Sequence, residues 1–149
     1  MSNQKRMVVE NFIPPHQLKF IKAVTKLEEG EFFIGKLAEI EETINSMPKT
    51  GDNEDEEKYI PAKDQVVYLH YFVGGCDWLI SERDIDTDGE GQIQAFGWAN
   101  LGDNQNAEFG YICIPELFTL PMIQLDLYWT PKTFSQLQNG KQHKYGLDI

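Results

Sequence analysis

The chain has 149 residues, of which 41% are apolar and 12% aromatic. This length and composition suit one folded domain with its own core and exclude a disordered chain. The 24 acidic residues outnumber the 13 basic ones, which gives a formal net charge of −11 at pH 7. Because a field of this sign repels phosphate groups, it argues against nucleic acid and anionic membranes as partners and favours another protein with a basic surface.

The start of the chain and its two cysteines indicate a reducing compartment. Residues 1–6 lack the apolar stretch of a signal peptide, and no window reaches the roughly 20 apolar residues of a membrane span. Cys76 and Cys113 have no Cys-x-x-Cys spacing, and we interpret both as reduced, buried, small hydrophobic residues. The sequence therefore predicts a cytoplasmic protein.

Two amphipathic helices are predicted in the first third of the chain. The first begins at the proline pair 14–15, where a missing N–H costs nothing, and Gly30 is its predicted stop. The second extends from about Phe33 to Met47, because its apolar residues recur at steps of four and three. The acidic run over residues 51–58 repels itself and favours a mobile loop.

The chain from about residue 65 onward is β-rich, and five strands are predicted there. Their ranges are 66–73, 76–81, 92–100, 108–114 and 123–129. The glycine pair 74–75 is a hairpin signal, and the short connections favour antiparallel pairing. The sequence thus predicts one α+β domain, with N-terminal helices packed on a roughly five-stranded antiparallel β-sheet. Within residues 1–149 the helical part covers 1–60, the β-rich part 61–135 and a polar tail 136–149.

One acidic segment resembles the opening of a calcium loop. Asp84, Asp86 and Asp88 occupy positions one, three and five of such a loop, and Gly89 occupies position six. Position twelve is Ala95, where a calcium loop needs a bidentate glutamate. An acidic hairpin turn is therefore the favoured interpretation. The three aspartates remain candidate metal ligands, and no cofactor is expected.

Motifs of nucleophilic and nucleotide chemistry are absent from the sequence. There is no Gly-x-Ser-x-Gly elbow, no phosphate-binding loop and no dinucleotide fingerprint. Of the three histidines, His70 is the one placed in a predicted strand, where a hydrogen-bonded structural histidine is the favoured interpretation. We therefore assign no catalytic residue.

Carboxylates at strand ends and several aromatic residues form the candidate functional surface. Paired carboxylates can carry out acid–base chemistry or hold a metal ion, and exposed aromatic residues often mark interfaces. The alternative interpretation is that the carboxylates are simply solvated at the strand ends and that the aromatic residues pack in the core. The surface comprises Trp78, Glu82, Asp84, Glu108, Tyr111, Glu116 and Asp126.

Four blocks of the β-rich part, taken together and in order, carry a family resemblance. They are Cys-Asp-Trp-Leu-Ile-Ser-Glu-Arg-Asp at 76–84, Gln-Ala-Phe-Gly at 94–97, Glu-Phe-Gly-Tyr-Ile-Cys-Ile-Pro-Glu-Leu at 108–117 and Leu-Asp-Leu-Tyr-Trp-Thr-Pro-Lys at 125–132. Over residues 66–134 the chain resembles the bacterial domain-of-unknown-function family numbered 2958. It departs from that family at Gln124 and Leu125, where the family often has Glu-Arg. The resemblance implies a gene of bacteria or their plasmids and phages, and it supplies no catalytic residue.

These observations support two main functional hypotheses. The first is a non-catalytic protein-interaction module, an accessory protein of a bacterium or mobile element that binds a basic surface. The alternative is a carboxylate-based enzyme or metal-binding protein that uses Glu82, Asp84, Glu108 and Asp126. A third hypothesis, direct nucleic-acid binding, has only two short basic segments, 5–6 and 141–144, in its favour. The sequence leans against catalysis without excluding it.

Overall fold

The computed structural model describes residues 8–27, 30–57, 59–84, 94–139 and 145–149. Its first helix, α1, covers Pro15–Val24, and its second, α2, covers Gly30–Ser46. The proline that begins α1 lacks an N–H, and the first turn of a helix needs none at that position. α1 buries Ile21, and α2 buries Ile40 and Ile44, so each helix turns an apolar stripe inward.

In the described part of the chain, short strands and two further α-helices follow α2. The strands are β1 (Val66–Val67), β2 (Leu69–Val73), β3 (Cys76–Glu82), β4 (Gln94–Asn100), β5 (Glu108–Cys113), β6 (Gln124–Leu125) and β7 (Lys132–Thr133). The helices are α3 (Ile114–Leu117), between β5 and β6, and α4 (Phe134–Gln138), directly after β7. Across the described part of the chain, no helix combines the length and the apolar character that a membrane crossing requires.

Five of the strands form one antiparallel sheet in the order β5-β4-β3-β2-β6, and β1 pairs separately with β7. β2 and β3 are joined by the two-residue turn Gly74-Gly75. Gly74 has a φ of +54°, in the left-handed region that glycine adopts without steric cost. The predicted α+β class, with an antiparallel five-stranded sheet, is confirmed.

Each face of the sheet packs against a different part of the chain. Tyr71 belongs to the first core, which also holds Ile21 of α1 and Ile44 of α2. Leu79 belongs to the second core, on the opposite face, together with Val67, Trp98, Phe134 and Leu147. The N-terminal helices therefore cover one face, and the segment from β7 onward covers the other.

The fifth predicted strand is much shorter than expected. Residues 123–129 alternate like a strand, but β6 covers only Gln124–Leu125. Asp126 ends the strand, because its Oδ1 accepts a hydrogen bond from the Tyr128 N–H at 3.0 Å and its carbonyl accepts one from the Trp129 N–H at 3.3 Å. This local turn, which aspartate favours, overrides the alternating pattern.

Two other boundaries differ from their predictions. Gly30 begins α2 and does not end α1, which stops at Val24. A Cβ on Gly30 would lie 2.2 Å from the carbonyl oxygen of Thr25, so the glycine allows a close approach of the chain to itself. The first predicted strand is divided between β1 and β2, and the N–H of Tyr68 at the division donates to the carbonyl of Ile80 at 2.9 Å.

The acidic run contains a short 3₁₀ helix, Asp52–Glu54. Asn53 in this helix is buried, and its carbonyl accepts a hydrogen bond from the Ile60 N–H at 2.9 Å. The run is therefore tied to its surroundings through Asn53, while the side chains of its carboxylates are exposed.

Cys76 and Cys113 are free thiols, each half-buried. Cys76 pairs with Val73 beside the hairpin turn, and Cys113 pairs with Gln94 at the start of β4. The two thiols therefore lie at opposite ends of the sheet, which prevents a disulfide between them in this fold.

Candidate functional site

The β2–β3 hairpin places a histidine beside an aspartate. Its register pairs His70 with Leu79 and Phe72 with Asp77. Since residues two apart share a face, His70 and Asp77 are diagonal neighbours on the face of the second core. His70 Nε2 lies 2.7 Å from Asp77 Oδ1, which is hydrogen-bond distance.

A second aspartate reaches His70 from the neighbouring strand. β6 pairs with β2 through Leu125 and Tyr71, and the N–H of Asp126 donates to the His70 carbonyl at 2.8 Å. Asp126 Oδ2 then lies 3.2 Å from His70 Nδ1. Three adjacent strands, β3, β2 and β6, therefore place one imidazole between two carboxylates.

The cluster formed by His70, Asp77 and Asp126, here called the His70 cluster, is negatively charged. A ring with both nitrogens protonated can donate to both carboxylates and leaves one net negative charge. A neutral ring donates to one of the carboxylates, and the cluster then carries two net negative charges. In either form the cluster attracts a cation, and the imidazole lies within hydrogen-bond distance of both carboxylates.

Aromatic rings surround the imidazole of His70. The Phe72 ring stacks on it, with 5.5 Å between centroids and 24° between planes. Trp129 and Tyr145 approach it with centroid distances of 5.0 Å and 5.6 Å. Trp129 is held in place because its Nε1–H donates to the carbonyl of Val67 at 3.0 Å. The His70 cluster is thus set in a rigid aromatic frame.

The charges of the two aspartates act on Tyr145. Burial first, and then the negative charges of Asp77 and Asp126, raise the pKa of Tyr145 to about 12.

The side chains of His70 and Asp77 are 5% and 11% exposed, whereas that of Asp126 is 28% exposed. Asp126 is therefore the carboxylate that a ligand can reach most easily.

The His70 cluster forms part of the wall of an open cleft of about 400 Å³. The cleft is lined by His70, Phe72, Gly74, Gly75, Asp77 and Asp126. A Cβ added at Gly74 or Gly75 would meet no atom within 4 Å, so the hairpin turn leaves the mouth of the cleft open. The volume lies toward the small end of the range for ligand sites, which suits a small group or a single side chain.

The predicted functional surface is spread over several places, and Asp126 is the member that lines this cleft. Trp78 is buried in the first core, and Glu108 and Tyr111 are exposed on β5. Glu116 is exposed on α3 and lines, together with Trp78, a second cavity of about 420 Å³. These residues do not form one common surface.

The carboxylates of the alternative hypothesis lie at opposite ends of the sheet. Glu108 pairs with Ala99, which pairs with Trp78, four residues before Glu82 in β3. At about 3.3 Å per residue, Glu82 and Glu108 are about 13 Å apart along the strand direction. Asp126 contacts His70 and belongs to neither end.

Glu82 and Asp84 are buried at the end of β3. Glu82 is 2% exposed, and its Oε2 accepts a hydrogen bond from the Asn53 N–H at 3.4 Å. Burial raises the pKa of Glu82, and the Asn53 N–H opposes this effect. Asp84 Oδ2 accepts a hydrogen bond from the Gln94 N–H at 3.0 Å. Both carboxylates thus bond to backbone groups of neighbouring segments.

The candidate metal ligands Asp86 and Asp88 belong to residues 85–93, which lie outside the described part of the chain. The basic segments 5–6 and 141–144 also lie outside it. Among the residues that the structure describes, no group of three or more His, Cys, Asp or Glu is arranged to hold a metal ion.

Asp77 and Phe72 were not predicted as site residues, although the sequence contains a signal for both. A two-residue turn at Gly74-Gly75 requires Phe72 to face Asp77 and thereby places Asp77 diagonally from His70. Asp126 was predicted, but its approach to His70 depends on the pairing of β6 with β2, which no local pattern indicates.

Comparison of the chain with models of protein families, with curated proteins and with solved structures finds no match. The resemblance to the family numbered 2958 stays a prediction. The function therefore has to be argued from the His70 cluster, the cleft and the charge of the chain.

Proposed function

We propose that this protein is a non-catalytic protein-interaction module that binds a basic surface of a partner protein. The observation that carries the proposal is the pair of carboxylates held on either side of a buried imidazole at the wall of an open cleft. Both nitrogens of His70 face carboxylate oxygens, so the ring orients Asp77 and Asp126 and does not present a free base to a substrate. Such a preoriented negative recess suits a cation on the surface of a partner.

The charge of the chain supports the same proposal. The formal net charge is −11, and the acidic run contributes exposed carboxylates. These are Asp52, Glu54, Asp55, Glu56 and Glu57. A surface of this kind attracts a basic partner at long range and increases the rate of encounter, an effect that salt weakens.

We place this function in the cytoplasm of a bacterium, as an accessory protein carried by a plasmid or phage. The resemblance to the family numbered 2958 supports the source. Fractionation of host cells tests the location, and recovery of the protein outside the cytoplasmic fraction would contradict it.

Affinity capture from the native host tests the interaction function. At low ionic strength the tagged chain is expected to retain a specific basic protein, and high salt is expected to release it because exposed charge pairs are screened. An unrelated protein of equal net charge is the control. Failure to retain any protein beyond those that the control retains would contradict the proposal.

The alternative function is a carboxylate-based enzyme or metal-binding protein. The meeting of an imidazole and two carboxylates in a cleft favours its enzymatic form, since these three described residues are not arranged to hold a metal ion. Thermal melting with divalent metals, nucleotides and a chelator tests it. A ligand at about a hundredfold excess over its Kd stabilises the folded state by roughly 3 kcal/mol. A shift with one metal or nucleotide that Asp126→Asn abolishes would favour this alternative over the interaction module.

A further inference from the structure

The cleft at the His70 cluster has room for one long side chain. Its volume of about 400 Å³ lies toward the small end of the range for ligand sites. At its mouth the turn residues Gly74 and Gly75 carry no side chains, and the space beside them is open. None of the described residues occupies this space, so a side chain presented by another protein can enter the cleft without displacing any of them.

The carboxylate of Asp126 can accept further hydrogen bonds. Its Oδ1 accepts one from the Tyr128 N–H at 3.0 Å, and its Oδ2 lies 3.2 Å from His70 Nδ1. Each carboxylate oxygen has two lone pairs, so after these two contacts with described residues each oxygen has one acceptor site for a ligand that donates two hydrogen bonds in parallel. A guanidinium group has this paired donor geometry, whereas an ammonium group acts as a point charge.

The aromatic wall adds a preference for a flat cation. Phe72 lines the cleft, and its ring is stacked on His70 with an interplanar angle of 24°. A planar guanidinium can pack against such a stack. The frame already holds one cation, since Nζ of Lys132 lies 5.5 Å from the centroid of the Trp129 ring. The positive charge of Lys132 reduces the negative potential near Trp129 without occupying the lining of the cleft.

We propose that the cleft binds the guanidinium group of an arginine side chain of the partner protein, with Asp126 accepting its N–H groups and Phe72 packing against its plane. Asp77 and His70 are positioning residues, because they act through the orientation of Asp126 and through the negative charge of the cleft. This inference rests on the proposed function, since the docked partner supplies the arginine.

Three blocked tripeptides test the preference for guanidinium: Gly-Arg-Gly, Gly-Lys-Gly and Gly-citrulline-Gly, in which citrulline is the neutral analogue of arginine. They are titrated into the ¹⁵N-labelled chain, and the backbone amides of Phe72, Gly74 and Gly75 are followed by NMR. We expect saturable shifts with the arginine peptide, binding at least about threefold weaker with the lysine peptide, and none with the citrulline peptide. Equal binding of arginine and citrulline, or of arginine and lysine, would overturn the inference.

Two variants and a matched control locate the binding. Asp126→Asn keeps an oxygen for the Tyr128 N–H and removes the charge, so it is expected to weaken binding of the arginine peptide about tenfold. Asp64→Asn is the control, because Asp64 is exposed, lies outside both the cleft lining and the acidic run, and loses the same charge. Phe72→Leu is expected to remove the preference for arginine over lysine. The dispersion of the amide spectrum shows that each variant is folded, and unchanged binding by Asp126→Asn would overturn the inference.

The inference and the proposed function fail in distinguishable ways. A host partner that binds the wild type and Asp126→Asn equally well overturns the arginine site and leaves the interaction function standing. Binding of the arginine peptide without any partner in the host supports a guanidinium site and contradicts the interaction function.

Discussion

Tyr71 joins the sheet to the segment that precedes α1. Its ring is fully buried, and its hydroxyl donates a hydrogen bond to the carbonyl of Phe12. Burial raises the pKa of Tyr71 above its usual range, so the phenol keeps the proton that it donates. This one bond connects β2 to the 3₁₀ helix Val8–Phe12 across the first core.

Tyr71→Phe is expected to lower the free energy of unfolding by about 1–3 kcal/mol, because it leaves the carbonyl of Phe12 buried without this partner. Urea denaturation measures the change. Tyr128→Phe is the control, since Tyr128 is 70% exposed, and it is expected to stay within about 0.5 kcal/mol of the wild type. Equal changes in the two variants would show that the buried bond adds no net stability.

Buried Glu82 makes the folded state less stable as the pH rises, whereas an ion-paired carboxylate makes it more stable. Burial raises its pKa, so the folded state holds the proton more tightly than the unfolded chain does. The stabilising contribution is fully present below the ordinary pKa of 4.5 and is lost as the pH rises through the higher pKa of the folded state.

Glu82→Gln removes this titration and keeps an oxygen for the Asn53 N–H. Relative to the wild type, the free energy of unfolding of the variant is expected to increase as the pH rises from about 4.5 to neutrality. Urea denaturation over a pH series measures the difference. Glu56→Gln, an exposed position in the acidic run, is the control and is expected to show no such trend. A difference for Glu82→Gln that does not vary with pH would contradict the account.

At the scale of elements, β3 and β4 approach each other closely at Gly97. A Cβ at this position would lie 1.9 Å from the carbonyl oxygen of Leu79. Gly110, which faces Gly97 from β5, has no atom within 4 Å of an added Cβ. The two glycines are thus neighbours in the sheet, but Gly97 has no room for a side chain and Gly110 has.

Gly97→Ala is expected to lower the free energy of unfolding by about 1–3 kcal/mol, because the strands must separate to admit the methyl group. Gly110→Ala is expected to be neutral or stabilising by up to about 1 kcal/mol, because alanine loses less backbone entropy on folding. Both values come from urea denaturation. A similar cost at the two positions would contradict the close approach of β3 and β4.

Local patterns are sufficient to predict α2 and the β2–β3 hairpin. The apolar stripe predicted a helix over 33–47, and α2 covers Gly30–Ser46, because tertiary packing follows the same stripe. The turn Gly74-Gly75 determines the hairpin register and, through it, the contact between His70 and Asp77. Half of the candidate site is therefore encoded within about ten residues.

Long-range pairings could not be predicted from the same patterns. β6, β1 and β7 have two residues each, and each pairs with a strand distant in sequence. Such short strands form because another strand is present to pair with them, and two residues are too few to show an alternating pattern. The contact of Asp126 with His70 depends on β6, so the second half of the site required the three-dimensional structure.

At the scale of the whole molecule, a hydrophobic core on each face of the sheet holds the His70 cluster in place. The carboxylates are therefore oriented before a partner arrives, which lowers the entropic cost of binding. The net charge of −11 adds a long-range attraction for a basic surface. A charged recess with preoriented carboxylates in an acidic protein is the combination on which the proposed interaction function rests.

Calorimetric titration of the captured host partner into the wild-type chain, at low and at physiological ionic strength, tests this central claim most directly. We expect saturable binding that weakens as salt is added, because charges of opposite sign bring the two surfaces together. Asp126→Asn is expected to bind about tenfold more weakly than Asp64→Asn, which removes an equal charge outside both the cleft and the acidic run. Binding that does not respond to salt, or a host that yields no partner at all, would contradict the claim that this protein is an interaction module for a basic surface.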